Sequence, residues 1–465
     1  MSFCTWDHIE PADALSKCRW LVWLTPRTWA LKTKPFSIAI IGGGITGLVF
    51  ATSLLKHNVP FVIYESASQF GEIGAGVGFE PTTVETMRLI DPRIKEGFLQ
   101  CNKGNKTIPV AKEPPKWFTV RVGDKQISSD GCGVYRSDGQ KIALGEPLFD
   151  IPARSGSRGG VHRAHLLDQI VKLVPQEYVR FSKRLIDITK VGNGSSDAVL
   201  HFLDGSSAQH TAVVGCDGIK SRVRHLILEE SLAKPRYSGK YAYRGLIPMS
   251  KAIVLAGEYA AEGSQMHIGH SGHVLTFPIA NGAILNVVAF SSSAEWTSDK
   301  WVIPATREKM QSDYANWIPE VQSIIANLEH PDVWALFDHP PSLTYFKAQP
   351  RICLLGDAAH ATTPHQGSGA GMCVEDCFIL GELLGDTACA DDIEKVFSAY
   401  ESVRLERTSK LVETSREAGK LWECEGPKGS DLGALERDAI TRMNWIWDYD
   451  IREDLSRARA LLAKT

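Results

Sequence analysis

One stretch near the N-terminus restricts the fold more than any other. Phe36-Ser-Ile-Ala-Ile-Ile41 is an apolar run that ends at Gly42-Gly-Gly-Ile-Thr-Gly47. Leu48 to His57 follows with helical apolar spacing, and Phe61-Val-Ile-Tyr-Glu65 is a second apolar run closed by an acid. Strand, glycine turn, helix, strand and terminal acid is the pattern of a dinucleotide-binding unit. Gly42 permits the tight turn, Gly44 lets the backbone approach a pyrophosphate, and Gly47 lets helix and strand come close. Free N–H groups at the helix start hold phosphate charge. Glu65, 21 residues after Gly44, is placed to accept hydrogen bonds from an adenosine ribose. Its carboxylate would repel a 2′-phosphate, so this site suits FAD or NAD rather than NADP.

The rest of the chain sets the frame for that unit. At 465 residues it is too long for one ordinary core, so two closely packed domains are expected. A formal charge of -3 supplies no electrostatic reason for nucleic acid or an anionic membrane as partner. The ten cysteines include no C-x-x-C pair, which predicts buried free thiols in a reducing, cytoplasmic compartment and no structural zinc. Residues 1–35 read as an extension. Their apolar run, Cys18 to Leu24, is far short of the roughly 20 residues that span a bilayer. Acidic Asp7 and Glu10 precede it, the wrong order for a secretory signal, and only a weak interfacial contact through Trp20, Trp23 and Trp29 is left.

Three further segments carry chemistry. Gly71-Glu-Ile-Gly-Ala-Gly-Val-Gly78 continues the glycine richness just past Glu65 and would allow close approach to a flat ligand. Val213-Val-Gly-Cys-Asp217-Gly218 reads as a strand running into a turn, with Asp217 placed to cap a helix that holds Ser221 and Arg222. Arg351-Ile-Cys-Leu-Leu-Gly356-Asp357 is another strand with an acid at its end. A glycine-rich helix start, Gly367 to Gly371, follows and offers N–H donors to an anion.

Taken in this order, the G-x-G-x-x-G start, the Asp-Gly motif and the Gly-Asp motif resemble the FAD-dependent aromatic hydroxylases. These are the group A flavoprotein monooxygenases, which include salicylate and para-hydroxybenzoate hydroxylases. The nearest subgroup is the fungal salicylate-hydroxylase-like enzymes that hydroxylate polyketide phenols, some with dearomatisation. The likeness extends through Tyr400 to Arg416 and Trp445-Ile-Trp-Asp-Tyr-Asp450, leaving only residues 1–35 outside it.

The resemblance implies FAD as cofactor, NAD(P)H as co-substrate without a nucleotide fold of its own, and O2. It places Glu65 on the FAD ribose, Gly78 as a backbone contact and Arg163 on the flavin or pyrophosphate. Asp357 and the helix start at Gly367, with Ala370, serve the flavin end, and Asp217 serves both FAD and the nicotinamide donor. A flavin C4a-hydroperoxide would then be attacked by the substrate phenolate. Arg244, in the alternating run Lys240 to Gly245, would hold that phenolate, since a guanidinium stays charged at any working pH. Some subgroup members carry tyrosine where this chain has Phe277, and Tyr135, Tyr241 or Tyr243 is expected to compensate, with Tyr243 ranked beside Arg244.

The implied fold class is α/β: a Rossmann-like FAD-binding domain with an inserted β-sheet substrate domain and a helical C-terminal tail. FAD-binding segments are expected at 36–110, 156–225 and 346–390, substrate segments at 111–155 and 226–345, and the tail at 391–465. His267 and His273 should share one strand face, with His270 on the other, so no metal site is expected. A flavin-dependent halogenase is the competing enzyme, but Tyr314-Ala-Asn-Trp317-Ile-Pro319 lacks the first tryptophan of its W-x-W-x-I-P motif. A flavin-binding regulator without turnover is the competing non-enzyme.

Overall fold

Ile38–Ile41 has all four side chains buried, the signature of a strand covered on both faces. In the computed structural model, which describes residues 34–71, 76–102, 116–154, 159–192 and 195–464, it lies inside a six-stranded sheet. The extension therefore falls outside the described residues apart from Lys34 and Pro35, and with it the three tryptophans of the expected membrane contact. The strand order is Phe346–Lys347, Ile352–Leu354, Ala212–Gly215, Ile38–Ile41, Phe61–Tyr64, Val179–Arg180. All pairs are parallel except that of the edge strand Phe346–Lys347. Parallel register (Ile41 beside Tyr64 and Gly215, Gly215 beside Leu354) brings the glycine turn, Glu65, Asp217 and Asp357 to the same carboxyl edge. Helix Ile45–Lys56 begins three residues before the apolar spacing suggested, with Gly44 as its N-cap.

A second sheet has eight strands in the order Val302–Pro304, Glu329–Asp338, Arg236–Pro248, Ile284–Ser292, Gly272–Ile279, Gln265–Gly269, Lys116–Val122, Pro147–Pro152. Its pairs are antiparallel except Gln265–Gly269 with Lys116–Val122. Alternation along each strand sorts the side chains onto two faces. Arg244, Asn286, Val288, Leu275 and Phe277 share one face by direct pairing. Tyr241, Tyr243, Val274, Leu285 and Val287 lie on the other, in a core with Met310, Tyr314, Trp317 and Ile325.

The helical tail joins the two sheets. In the 30-residue helix Ile393–Trp422, Val396, Phe397 and Tyr400 belong to the core of the parallel sheet. Leu411, Ala418 and Trp422, further along, pack with Phe118, Val120 and Met266 of the antiparallel one. All eight described cysteines are free, and Cys132 and Cys389 are exposed rather than buried as expected. Among the described residues no helix is long and apolar enough to cross a membrane.

Candidate active site

The carboxyl edge of the parallel sheet is built for a dinucleotide. Gly42 adopts φ +103°, and a Cβ there would lie 2.5 Å from the Cys216 carbonyl oxygen, so only glycine lets this turn sit against the Asp-Gly segment. A Cβ on Gly47 would stand 2.0 Å from the Gly42 oxygen. Helix Ile45–Lys56 opens with no side-chain cap and no acid in its first turn, which leaves its N–H groups to an anionic group. Glu65 reaches this turn: its Oε2 accepts the Gly43 N–H at 2.7 Å and its Oε1 that of Ala67 at 2.7 Å.

Asp217 does cap, though not from the N-cap position, which Ser221 holds. Its carboxylate accepts from Arg222 N at 2.7 Å, Val223 N at 3.1 Å and Ser221 Oγ at 2.6 Å. Burial pushes its pKa up against the pull of these bonds. Asp357 opens the short helix Asp357–His360, with the Cys373 thiol 3.7 Å from its Oδ1.

At the ring end, Gly367 (φ +64°) precedes helix Gly369–Asp386, which also starts uncapped by any side chain and without a first-turn acid. Gly78, Thr83, Gly367, Ser368, Gly371 and Met372 line a narrow cleft here. Ala370 is half-buried in the first turn of that helix. Arg163 opens helix Arg163–Val171 as expected. Two uncapped helix starts, glycine turns that a Cβ would obstruct and an acid at the second strand end fit FAD.

The face of the antiparallel sheet that carries Arg244 packs against Gly76 and Gly160 of the paired strands Gly76–Phe79 and Gly159–His162. Arg244 Nη2 is 3.4 Å from the Gly76 carbonyl, its guanidinium sits 5.0 Å from the Trp334 ring centre, and its Nε has no partner. Among the described residues no carboxylate pairs with it. Burial, with the charge of Arg163 added, lowers its pKa to about 10, so it is still a cation at neutral pH. Phe277 lies on the same face, where its ring limits any side chain at Gly76 or Gly160 and meets Phe118 edge-on at 6.4 Å.

Three expectations are corrected here. Tyr243 precedes Arg244 in a strand and so points to the opposite face, fully buried, its hydroxyl donating to Asp313 Oδ2 at 2.6 Å. Burial first, then that carboxylate, hold its pKa far above the ordinary phenol value. Tyr241 shares that face and that acceptor, and Tyr135 is 61% exposed on a hairpin, so none of the three joins Arg244. The histidines do not lie on one strand: Gln265–Gly269 turns at His270-Ser271 into Gly272–Ile279. His273 pairs with Ile268, leaving His267 and His273 on opposite faces. Replacing Tyr243 by Phe should therefore cost about 1 kcal/mol of stability while changing kcat/KM less than about twofold. A large loss of turnover at unchanged FAD content would contradict this placement.

Two features had no sequence signal. Asn286, on the strand between those of Arg244 and Phe277, is a buried amide on the same face. His273, His365 and Glu423 bring their ligand atoms within 4.8 Å of one another, a group that could hold a metal. Glu423 is already paired with the Lys240 ammonium, which would repel a second cation. Burial keeps both histidines neutral, with the pKa of His365 lowered to about 3.

The sequence matches a family described as FAD binding domain over residues 174–415 and one described as NAD(P)-binding Rossmann-like domain over residues 40–75. It is 40% identical to the FAD-dependent monooxygenase pigN of Monascus ruber over 90% of this chain and 95% of that one. A solved salicylate hydroxylase substrate complex aligns with a TM-score of 0.76 at 31% identity, over 91% of this chain and 98% of that one. The chain belongs to the FAD-dependent aromatic monooxygenase family. A further relative, 37% identical over 92% of both chains, is the 6-methylsalicylate 1-monooxygenase of Aspergillus terreus. This flavoprotein is an enzyme with FAD as cofactor and NAD(P)H as co-substrate. Neither the halogenase nor the regulator without turnover is favoured by these relatives.

Proposed function

We propose that this monooxygenase hydroxylates a phenolic small molecule, a fungal polyketide intermediate, with Arg244 holding the substrate as its phenolate. The observation that carries the reading is a half-buried guanidinium with a buried, unpartnered Nε and no carboxylate partner among the described residues, on the sheet face that meets Gly76. A cation partly shielded from water and unpaired favours an anion nearby, and a phenolate supplies it. Deprotonation enriches the ring at its ortho and para carbons, so Arg244 both orients the substrate and prepares it for an electrophilic oxygen. Bound FAD supplies electron transfer from NAD(P)H and activation of O2. The balance is NAD(P)H, H⁺, O2 and the phenol giving NAD(P)⁺, water and a product with one more oxygen atom. Attack at an unsubstituted ring carbon ends in proton loss and a restored aromatic ring. Attack at a substituted carbon leaves a dearomatised hydroxy-ketone.

Around this centre Glu65 and Asp357 bind polyol and ribose hydroxyls, and Arg163 lies on the flavin or pyrophosphate. Gly78, Gly367 and Ala370 bring backbone up to the ring. The apolar faces of Phe277, Leu275 and Val288 exclude water from the substrate side. The test is oxidation of NADH and of NADPH by the FAD-loaded protein with and without a panel of phenols, products followed by mass spectrometry. A phenol that accelerates oxidation and gains one oxygen atom is expected, and oxidation indifferent to every phenol would overturn the reading. A separate check addresses the cofactor. Glu65→Gln should weaken FAD binding about tenfold, the loss of one charge-assisted hydrogen bond, in a fluorescence titration of apoprotein. Unchanged affinity would remove Glu65 from the ribose.

A further inference from the structure

Asn286 is 3% exposed on strand Ile284–Ser292. It stands opposite Phe277 on one neighbouring strand and opposite Leu246, two residues beyond Arg244, on the other. Its side chain and that of Arg244 converge on one glycine. The Gly76 N–H donates to Asn286 Oδ1 at 3.4 Å, and the Gly76 carbonyl accepts from Arg244 Nη2 at 3.4 Å. Both contacts are long for hydrogen bonds. Because the Gly76 N–H is a donor, the amide oxygen must face it, and this turns the NH2 group the other way. Nδ2 is buried there with no hydrogen-bond partner. A buried, unpartnered amide nitrogen on the same sheet face as a buried, unpartnered guanidinium Nε calls for an acceptor that the described residues do not supply.

We infer that the Asn286 amide donates to a second oxygen of the substrate, next to the phenolic oxygen held by Arg244, and so decides which phenols are accepted. The assignment rests on the phenolate reading above and deepens it. An NH2 group donates and never accepts, so the atom it meets is an acceptor oxygen, as a carbonyl or carboxylate supplies. The two side chains meet at the same residue on one sheet face, so we assign the second oxygen to the ring carbon adjacent to the phenolic one. Asn286 carries no charge, so an aldehyde, ketone or ester oxygen satisfies it as well as a carboxylate does. Phe277, across from it, offers only ring surface, so the donor that a tyrosine would have contributed comes instead from the strand between.

The probes are 2-hydroxyacetophenone and 2-ethylphenol, which share ring and phenol and differ in the ortho carbonyl. Their binding to the FAD-loaded protein is read from the perturbed flavin absorbance, and kcat/KM from NAD(P)H oxidation. Wild type should bind the acyl phenol about fivefold to tenfold more tightly, the value of one neutral hydrogen bond. Asn286→Leu removes the amide at similar volume, and Asn286→Ala removes it without adding bulk, neither adding a charge beside Arg244. Both should weaken only the acyl phenol, erasing the preference at unchanged FAD content. No preference in wild type, a preference retained in both variants, or equal weakening of both probes would overturn the assignment. So would loss of FAD from both variants, which would tie the amide to the flavin loop. Arg244→Ala separates the two ideas: if it weakens both probes while neither Asn286 variant does, only the Asn286 assignment fails. If it weakens neither, the phenolate reading itself fails.

Discussion

Arg244→Ala is expected to lower kcat/KM for the phenol substrate about 10²–10³-fold, the loss typical of removing one preorganised donor to a negatively charged oxygen. The fold should survive, because Arg244 makes no ion pair among the described residues and its one hydrogen bond, to Gly76, is long. Arg244→Lys should recover little of the activity. The guanidinium stacks on Trp334 and offers a planar fork, whereas a lysine supplies a point charge on a flexible stem. The chemical signature is substrate-dependent. Phenols made acidic by fluorine or nitro groups are ionised already and should lose far less in the alanine variant than unsubstituted ones. Steady-state kinetics over such a series decides the matter. Equal losses for all phenols would show that Arg244 does not stabilise the phenolate, and normal turnover would remove it from the site.

The second large effect is on stability. Arg404 lies midway along helix Ile393–Trp422 with no exposed surface. Its guanidinium meets Asp376 at 2.8 Å and Glu375 at 2.8 Å, both on the helix that begins at the flavin edge, and Asp454 at 3.2 Å on the last helix. Arg407 binds Glu375 through two bonds of 3.0 Å, and His360 lies 2.5 Å from Asp376. Replacing Arg404 by Met leaves buried carboxylates short of a counter-charge, which should cost about 3–5 kcal/mol. For a chain of this size that lowers the thermal midpoint by roughly 5 °C.

The pH dependence gives the sign. In the variant, buried acids lacking Arg404 have raised folded-state pKa values and bind more protons folded than unfolded, so their penalty shrinks as pH falls. In wild type, burial opposes but His360 and Arg404 prevail, holding Asp376 below its ordinary value, and its contribution is lost only under stronger acid. The gap between the two proteins should therefore narrow from pH 8 to pH 5 in denaturant titrations. A gap that stays constant would mean that lost packing, not charge, is responsible.

Much of the cofactor site was legible because each of its motifs is complete within a few residues. A glycine turn, an acid at a strand end and an uncapped helix start act through local backbone geometry. Parallel pairing then brings any such strand ends to one edge. Glu65, Asp217 and Asp357 thus stand where the pattern of strands and acids implied. The substrate side was less legible. Tyr243 and Arg244 are neighbours in sequence, and which of them faces the flavin edge depends on what covers each face of the sheet. Along 240–243 every side chain is buried, so no polar and apolar alternation betrays the orientation.

The same ambiguity hid the hairpin that separates His267 from His273, and it hid Asn286, a lone amide in an apolar strand. Arg404 gave no signal either, since its partners lie 28 and 50 residues away. The sequence by itself determined that this chain builds a dinucleotide edge and, through its three motifs, which family it resembles. Only the tertiary structure decided which side chains share a sheet face with Arg244, because pairing across strands and covering of faces are set by residues far apart in the chain.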